Sequence, residues 1–252
     1  MTLTAWSRVC FKIIKEGFIL KTDRFPKGLI VSCQALEGNP FRDSKLLAVM
    51  AEAAEKGGAA AIRANGVEDI SEMRKRVTIP IIGIDKKKDT SGRTVITPDF
   101  LGAKRVVEAG ADIIALDGTF YPSDIREDFQ ELVDRIHNEL NVPVMADIST
   151  LEEAIRAAEV GADAISTTLA GYVPGALHSE DELYVPDFEL LENILAQNLD
   201  LSIVAEGRFW RGEDVTRAFS MGIDAMVIGK AISNPMAITK YFNVCIDKAT
   251  EK

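Results

Sequence analysis

Apolar residues in this chain gather into short runs without polar alternation, at 29–32, 60–63, 79–84, 112–116, 142–146, 164–167, 201–205 and 225–228. Such runs mark strands covered on both faces, because a half-exposed strand shows every second residue polar. Between them lie segments with apolar residues three and four apart, for example 44–56, 124–140, 150–159 and 212–220, and this spacing predicts helices. Strand-then-helix units repeated eight times point to an α/β fold, a closed (β/α)8 TIM barrel forming a single domain over 1–252. An open doubly wound sheet is the alternative. That fold usually carries a glycine-rich dinucleotide turn after its first strand, and no G-x-G-x-x-G occurs here.

A recurring junction punctuates the units: Lys56-Gly57-Gly58-Ala59, Ala109-Gly110-Ala111-Asp112, Val160-Gly161-Ala162-Asp163 and Met221-Gly222-Ile223-Asp224. Glycine there suits a helix C-cap in the left-handed region that feeds directly into a strand. Ile79-Pro80 and Val142-Pro143 open other runs, since proline is tolerated at the first residue of a strand. Near the N-terminus, Trp6, Val9, Ile13 and Ile14 are apolar, but Arg8, Lys12 and Lys15 interrupt them. This pattern predicts an extra N-terminal helix within an extension over 1–27, packed on the barrel bottom or on a partner subunit, and not a signal segment. The longest irregular stretch, 170–186, follows the sixth strand, where function often resides.

Composition narrows the partners. The 252 residues are 47% apolar and 27% charged, as in ordinary globular proteins. Against 29 Lys and Arg stand 39 Asp and Glu, so the net charge of -10 argues against a nucleic-acid backbone or an anionic membrane as partner. An anionic ligand must therefore be caught by a local site. Cys10, Cys33 and Cys245 have no paired spacing, so neither a disulfide framework nor a zinc knuckle is expected, and a cytoplasmic location fits.

In a barrel of this kind the active site lies at the C-terminal ends of the strands. Those ends read Ser32-Cys33-Gln34, Arg63, Asp85-Lys86, Asp117, Asp147, Thr167-Thr168, Glu206-Gly207-Arg208 and Gly229-Lys230. Any one of them could be polar only because a strand is leaving the core; a whole ring of them is better explained by a binding mouth. Barrels often hold phosphate with the loops after strands seven and eight and a short helix that follows. Gly207, Arg208, Gly229 and Lys230 fit that role, which implies a phosphorylated small molecule. The plainer alternative makes Gly229 a turn residue and Lys230 a solvated lysine.

Lys86, flanked by Lys87 and Lys88 after a buried strand, is a candidate general base, because like charges and desolvation favour a neutral amine. An exposed charged turn over 86–89 is the competing reading. Glu206 ends a buried strand, where a carboxylate needs a partner or a task. An amine and a carboxylate on different strands suit proton removal from one face of a carbon and delivery to the other. His137 and His178 are the only histidines, no H-E-x-x-H or G-x-S-x-G occurs, and no metal site is expected. Cys33 reads as a small buried residue, not a nucleophile.

Val31-Ser32-Cys33-Gln34, Ala61-Ile62-Arg63, Pro80-Ile81-Ile82-Gly83-Ile84, Ala146-Asp147-Ile148-Ser149-Thr150, Thr167-Thr168-Leu169-Ala170-Gly171-Tyr172 and Ala205-Glu206-Gly207-Arg208 follow one another along the chain. Together they resemble the bacterial N-acetylmannosamine-6-phosphate 2-epimerases, in order from about Gly28 to Phe242. The resemblance implies a TIM barrel that interconverts N-acetylmannosamine 6-phosphate and N-acetylglucosamine 6-phosphate with no cofactor, as a homodimer. It places the catalytic lysine and glutamate on Lys86 and Glu206, sugar binding on Gln34, Arg63 and Asp147, and phosphate-binding backbone on Gly207 and Gly229. The sequence departs from the family where an arginine- and proline-rich segment is usual, having Thr119-Phe120-Tyr121-Pro122-Ser123, and it carries Asn234 for an arginine and Lys230 for a small residue. A Schiff-base aldolase, a metal-dependent epimerase and a non-catalytic sugar-phosphate sensor are the rival readings.

Overall fold

The structure, a computed structural model, describes residues 25–172 and 184–250. The N-terminal helix expected within 1–27, and most of the 170–186 loop with His178, lie outside the described residues.

In chain order the strands are β1 (Gly28–Ser32), β2 (Ala61–Asn65), β3 (Ile81–Ile84), β4 (Lys86–Lys88), β5 (Thr94–Ile96), β6 (Ile113–Asp117), β7 (Val144–Asp147), β8 (Ala164–Ser166), β9 (Ser202–Glu206) and β10 (Ala225–Ile228). Eight of them close into a parallel barrel in the ring order β1-β10-β9-β8-β7-β6-β3-β2, while β4 and β5 form a separate antiparallel hairpin. Each predicted run overlaps one barrel strand, so the expected (β/α)8 barrel is the observed fold.

The junction glycines Gly58, Gly110, Gly161 and Gly222 take φ of 94, 113, 88 and 105, the left-handed region that their placement after helices predicts. Pro80 and Pro143 each stand one residue before a strand, and their carbonyls accept from Ile62 N and Ile114 N, so the missing N–H costs no ladder bond. The segment 124–140 differs from its expected single helix. The helix spans only Phe129–Arg135, capped by Asp128, and widens into a π turn over Ile136–Leu140. The residues before it are held in a loop because Arg126 turns inward to Asp117 and the Thr119 carbonyl.

Two apolar layers explain why no alternation is visible in the sequence. One side chain in two points outward against the helices, as Val31, Ile62, Ile114, Ala146, Ile165 and Ala205 do. The others fill the barrel interior, where Ile30, Ala61, Ile82, Ile84, Ala115, Met145, Ala164, Val204 and Val227 pack with Phe25 and Ile96. Both faces are thus apolar until the strands reach the mouth.

Glu153 joins two neighbouring loops above the barrel. With Thr150 it forms a capping box for the helix Leu151–Glu159, and it also accepts from Ser149 N, Ser149 Oγ and Phe120 N. Among the described residues no helix is long and apolar enough to cross a membrane.

Candidate active site

The period of two along a strand sets the site. The last apolar residues lining the interior are Ile30, Ala61, Ile84, Ala115, Met145, Ala164, Val204 and Val227. Two residues further along each chain segment stand Ser32, Arg63, Lys86, Asp117, Asp147, Ser166, Glu206 and Gly229. The same parity that fills the core therefore aims a polar ring into the mouth. Lys86 and Glu206 follow β3 and belong to β9, which are separated by three strands in either direction around the ring. They approach the mouth from opposite walls, and Lys86 feels the Glu206 charge.

Arg63 organises the carboxylates. Its guanidinium is buried and donates through Nη2 to Asp147 Oδ2 at 2.5 Å and through Nη1 to Glu206 Oε2 and to Thr168 Oγ1. Burial works against this charge, but Asp147 and Glu206 outweigh it and hold the Arg63 pKa above its ordinary value. Asp147 is fully buried. Burial pushes its pKa up to about 6, with Arg63 opposing and the Glu206 charge adding to the rise.

On the facing wall Lys86 Nζ donates to Gln34 Oε1 at 2.7 Å, and Gln34 Nε2 donates to Ser32 Oγ at 2.8 Å. Burial, then the Arg63 charge and more weakly that of Lys230, lower the Lys86 pKa to about 8, while Glu206 and Asp147 oppose them. Burial is the cause expected from sequence, but the like charge comes from Arg63 and Lys230 and not from the neighbouring lysines. Lys87 alternates to the other side of β4 and pairs with Asp99 and Asp85, so it leaves the Lys86 amine alone. Lys86–Lys88 is one arm of the β4–β5 hairpin rather than a loose turn.

Gly207 follows Glu206 with φ of 103, and Arg208 takes φ of 63, a left-handed conformation that costs a non-glycine residue about 1–2 kcal/mol. A side chain at Gly229 would bring a Cβ within 3.3 Å of Ser32 Cβ, so glycine lets the β1 and β10 ends meet closely. Lys230 begins the short helix Lys230–Ser233 and is exposed. Cys33 is buried and its thiol is raised to about 12 by burial, in keeping with a packing role. Among the described residues no group of three or more His, Cys, Asp or Glu is arranged to hold a metal ion.

A neighbouring cluster was not assigned a role from sequence. Asp117, in register with Asp147, takes ion pairs from Arg93 at 2.5 Å and Arg126 at 3.1 Å, and Thr119 Oγ1 donates to it at 2.6 Å. Arg93 comes from the hairpin and Arg126 from the loop after β6, so only folding brings them together. Thr168 is among the strand-end polar residues read from sequence; Ser166 is not, and the inward parity of β8 is the signal that would have found it.

A family model described as "Putative N-acetylmannosamine-6-phosphate epimerase" matches residues 47–248. The chain belongs to this family. A relative from Caldanaerobacter subterraneus subsp. tengcongensis, described as "Putative N-acetylmannosamine-6-phosphate 2-epimerase", is 46% identical over 222 residues, covering 87% of this chain and 91% of the relative. One from Clostridioides difficile, with the same description, is 41% identical over 225 residues, 89% of this chain and 98% of the relative. Among solved structures, the N-acetylmannosamine-6-phosphate 2-epimerase from Clostridium perfringens superposes with a TM-score of 0.81 at 40% identity, covering 88% of this chain and 95% of that one. A thiamine phosphate pyrophosphorylase from Pyrococcus furiosus, at 17% identity and a TM-score of 0.57, shares the fold alone.

The loop after β6 supplies Arg126 and the β4–β5 hairpin supplies Arg93, so positive charge from two segments gathers at Asp117. With the Lys86 pKa lowered to about 8, an amine acting as base gives a kcat/KM that rises with pH and levels off near 8. The pH–rate profile measures this. A profile flat from pH 6 to about 9 would remove Lys86 as the base.

Proposed function

We propose that the protein inverts C2 of an N-acyl amino-sugar phosphate, interconverting N-acetylmannosamine 6-phosphate and N-acetylglucosamine 6-phosphate. The observation that carries the reading is an amine and a carboxylate brought to one mouth from opposite walls of the barrel. Family membership supplies the substrate class.

In the open-chain aldehyde the carbonyl acidifies the C2 proton, and its loss leaves an enolate-like intermediate. Lys86 and Glu206 remove and return that proton on opposite faces, which inverts the carbon. Gln34 and the guanidinium of Arg63 stabilise the oxygen or acetamide that gains charge, and Arg63 also fixes Glu206 in place. Asp147, expected from sequence to bind the sugar, is sealed behind Arg63 and Thr168, so it acts on the substrate through Arg63 and, through the field it shares with Glu206, on the charge state of Lys86. The phosphate sits beyond β9 and β10, against the backbone of Gly207 and Gly229 and the charges of Arg208 and Lys230. Lys230 takes the part of the missing family arginine. A phosphorylated sugar does not cross a bilayer unaided, so the enzyme works in the cytoplasm, where such sugars are made.

We also propose a homodimer. The helix Pro235–Thr250 has no buried residue, and Met236, Phe242 and Ile246 stand 45%, 58% and 58% exposed along it. A helix gains most of its stability from packing an apolar face, so this one calls for a cover, and a second copy supplies it.

Incubation with N-acetylmannosamine 6-phosphate in deuterated water, followed by proton NMR, should show the C2 epimer appear with deuterium at C2. Lys86→Met should slow it about a hundredfold or more. Product that keeps its original hydrogen would refute proton abstraction, and saturable binding without inversion would favour a sensor. In the same assay Lys230→Ala should raise KM several-fold, roughly 1 kcal/mol of binding, with kcat little changed; an unaltered KM removes Lys230 from the phosphate site. Sedimentation velocity should give twice the chain mass, and a monomer at micromolar concentration would rule the dimer out.

A further inference from the structure

Thr168 stands on the 3-10 turn Thr167–Leu169 that follows β8. Its Oγ1 lies 2.6 Å from Asp147 Oδ1, 2.8 Å from Glu206 Oε2, 3.0 Å from Arg63 Nη1 and 2.9 Å from Ser166 Oγ. A hydroxyl has one hydrogen to donate and two lone pairs to accept with. Arg63 donates to one lone pair, Ser166 turns its own hydrogen to Glu206 Oε2 at 3.3 Å, and the Thr168 hydrogen can go to only one of the two carboxyl groups. The remaining short oxygen–oxygen contact is a hydrogen bond only if the other carboxyl carries a proton. With both ionised, that contact would be repulsive.

Charge leads to the same count. One guanidinium clamps both carboxylates, and the site around Asp147 has no exposed area, so two negative charges against one positive leave an excess that burial makes costly. With Lys86 an ammonium its charge balances this excess, and once Lys86 is the free amine that a base must be, one added proton makes the cluster neutral. The raised pKa of Asp147 is the same effect seen from one member. The groups facing the pair are Arg63 from β2, Lys86 from β4, Tyr172 and Arg208 near Glu206, and Asp117 beside Asp147, itself paired with Arg93 and Arg126.

We propose that Asp147, Thr168 and Glu206 form a proton relay, in which one proton is shared by the two carboxyl groups and passed between them through the Thr168 hydroxyl. The inference rests on Glu206 being an acid and base at C2. In the loaded state the proton is on Asp147 and the Thr168 hydrogen points to Glu206. Asp147 gives its proton to Thr168 Oγ1 while the Thr168 hydrogen moves to Glu206 Oε2, and Glu206 delivers it to the carbanionic C2, whose electron pair forms the new C–H bond. Asp147 and Glu206 end as carboxylates and Thr168 is unchanged. In the other direction Glu206 of the empty relay takes the C2 proton, the C–H electrons stay in the enolate, and the proton moves inward to Asp147. Glu206 is 17% exposed and Asp147 is sealed, so the relay stores the proton where water does not reach it.

Thr168→Val keeps the shape and removes the hydroxyl, whereas Thr168→Ser keeps it. Thr168→Val should lower kcat about tenfold or more with KM within about threefold, and should change the shape of the acid limb of the pH profile. Thr168→Ser should restore both. Wild-type kcat and profile in Thr168→Val, or equal loss in the two variants, would overturn the relay. A second measurement needs no substrate: carboxyl carbon NMR of the free protein should show Asp147 and Glu206 responding to one protonation event in the wild type and in Thr168→Ser, and independently in Thr168→Val. Independent titration in the wild type would overturn the proposal. Joint titration without any C2 inversion would leave the shared proton standing but sink the epimerase reading, and with it the transfer to C2.

Discussion

The buried guanidinium of Arg63 is the interaction on which the site depends. It reaches from β2 across the barrel to Asp147 on β7 and Glu206 on β9, tying three walls together at the level where the apolar interior ends. Each group alone would be costly to bury; together they satisfy one another, and removing one partner from such a pair typically costs about 3–5 kcal/mol because a charge is left uncompensated. The clamp also fixes the chemistry. It holds Glu206 in one orientation, and its positive charge lowers the affinity of Lys86 for its own proton. Structural support and pKa tuning are here the same interaction.

The opposite wall works differently. Lys86 is not in a barrel strand; it begins the hairpin that rises from β3, and its amine meets Gln34 rather than a carboxylate. With no carboxylate in direct contact, burial can bring its pKa down toward neutrality, as a base must have. The hairpin is held in turn by Arg93, which pairs with Asp117 and lies over the Tyr121 ring at 5.3 Å, and by Thr90 N donating to Asp124. The loop after β6 therefore supports the hairpin that carries Lys86, without containing any part of it.

How much of this could be read in the chain differs by element. The barrel was legible because eight apolar runs without alternation require cover on both faces, and glycines after the helices mark left-handed exits. Lys86, Glu206, Arg63, Asp147 and Gln34 stand among the polar residues at the ends of the apolar runs. The helix expected over 124–140 was overestimated because periodicity cannot show that Arg126 is drawn inward by a carboxylate on another strand. From sequence the lowered pKa of Lys86 rests on burial and on its lysine neighbours; burial holds, but side-chain alternation sends Lys87 to Asp99, and the like charge is that of Arg63.

By itself the sequence determined strand and helix order, the closed barrel they imply, the resemblance to the epimerases, and the polar residues that end each strand. These follow from local patterns: periodicity, turn chemistry, and the point at which each run stops being apolar. Tertiary structure alone decided which of those residues meet. Arg63 and Glu206 are 143 positions apart, and Thr168 touches both while also reaching Asp147. Closure of the ring sets such contacts, through strand register and the facing of opposite walls, and neither quantity is written in any short stretch of chain.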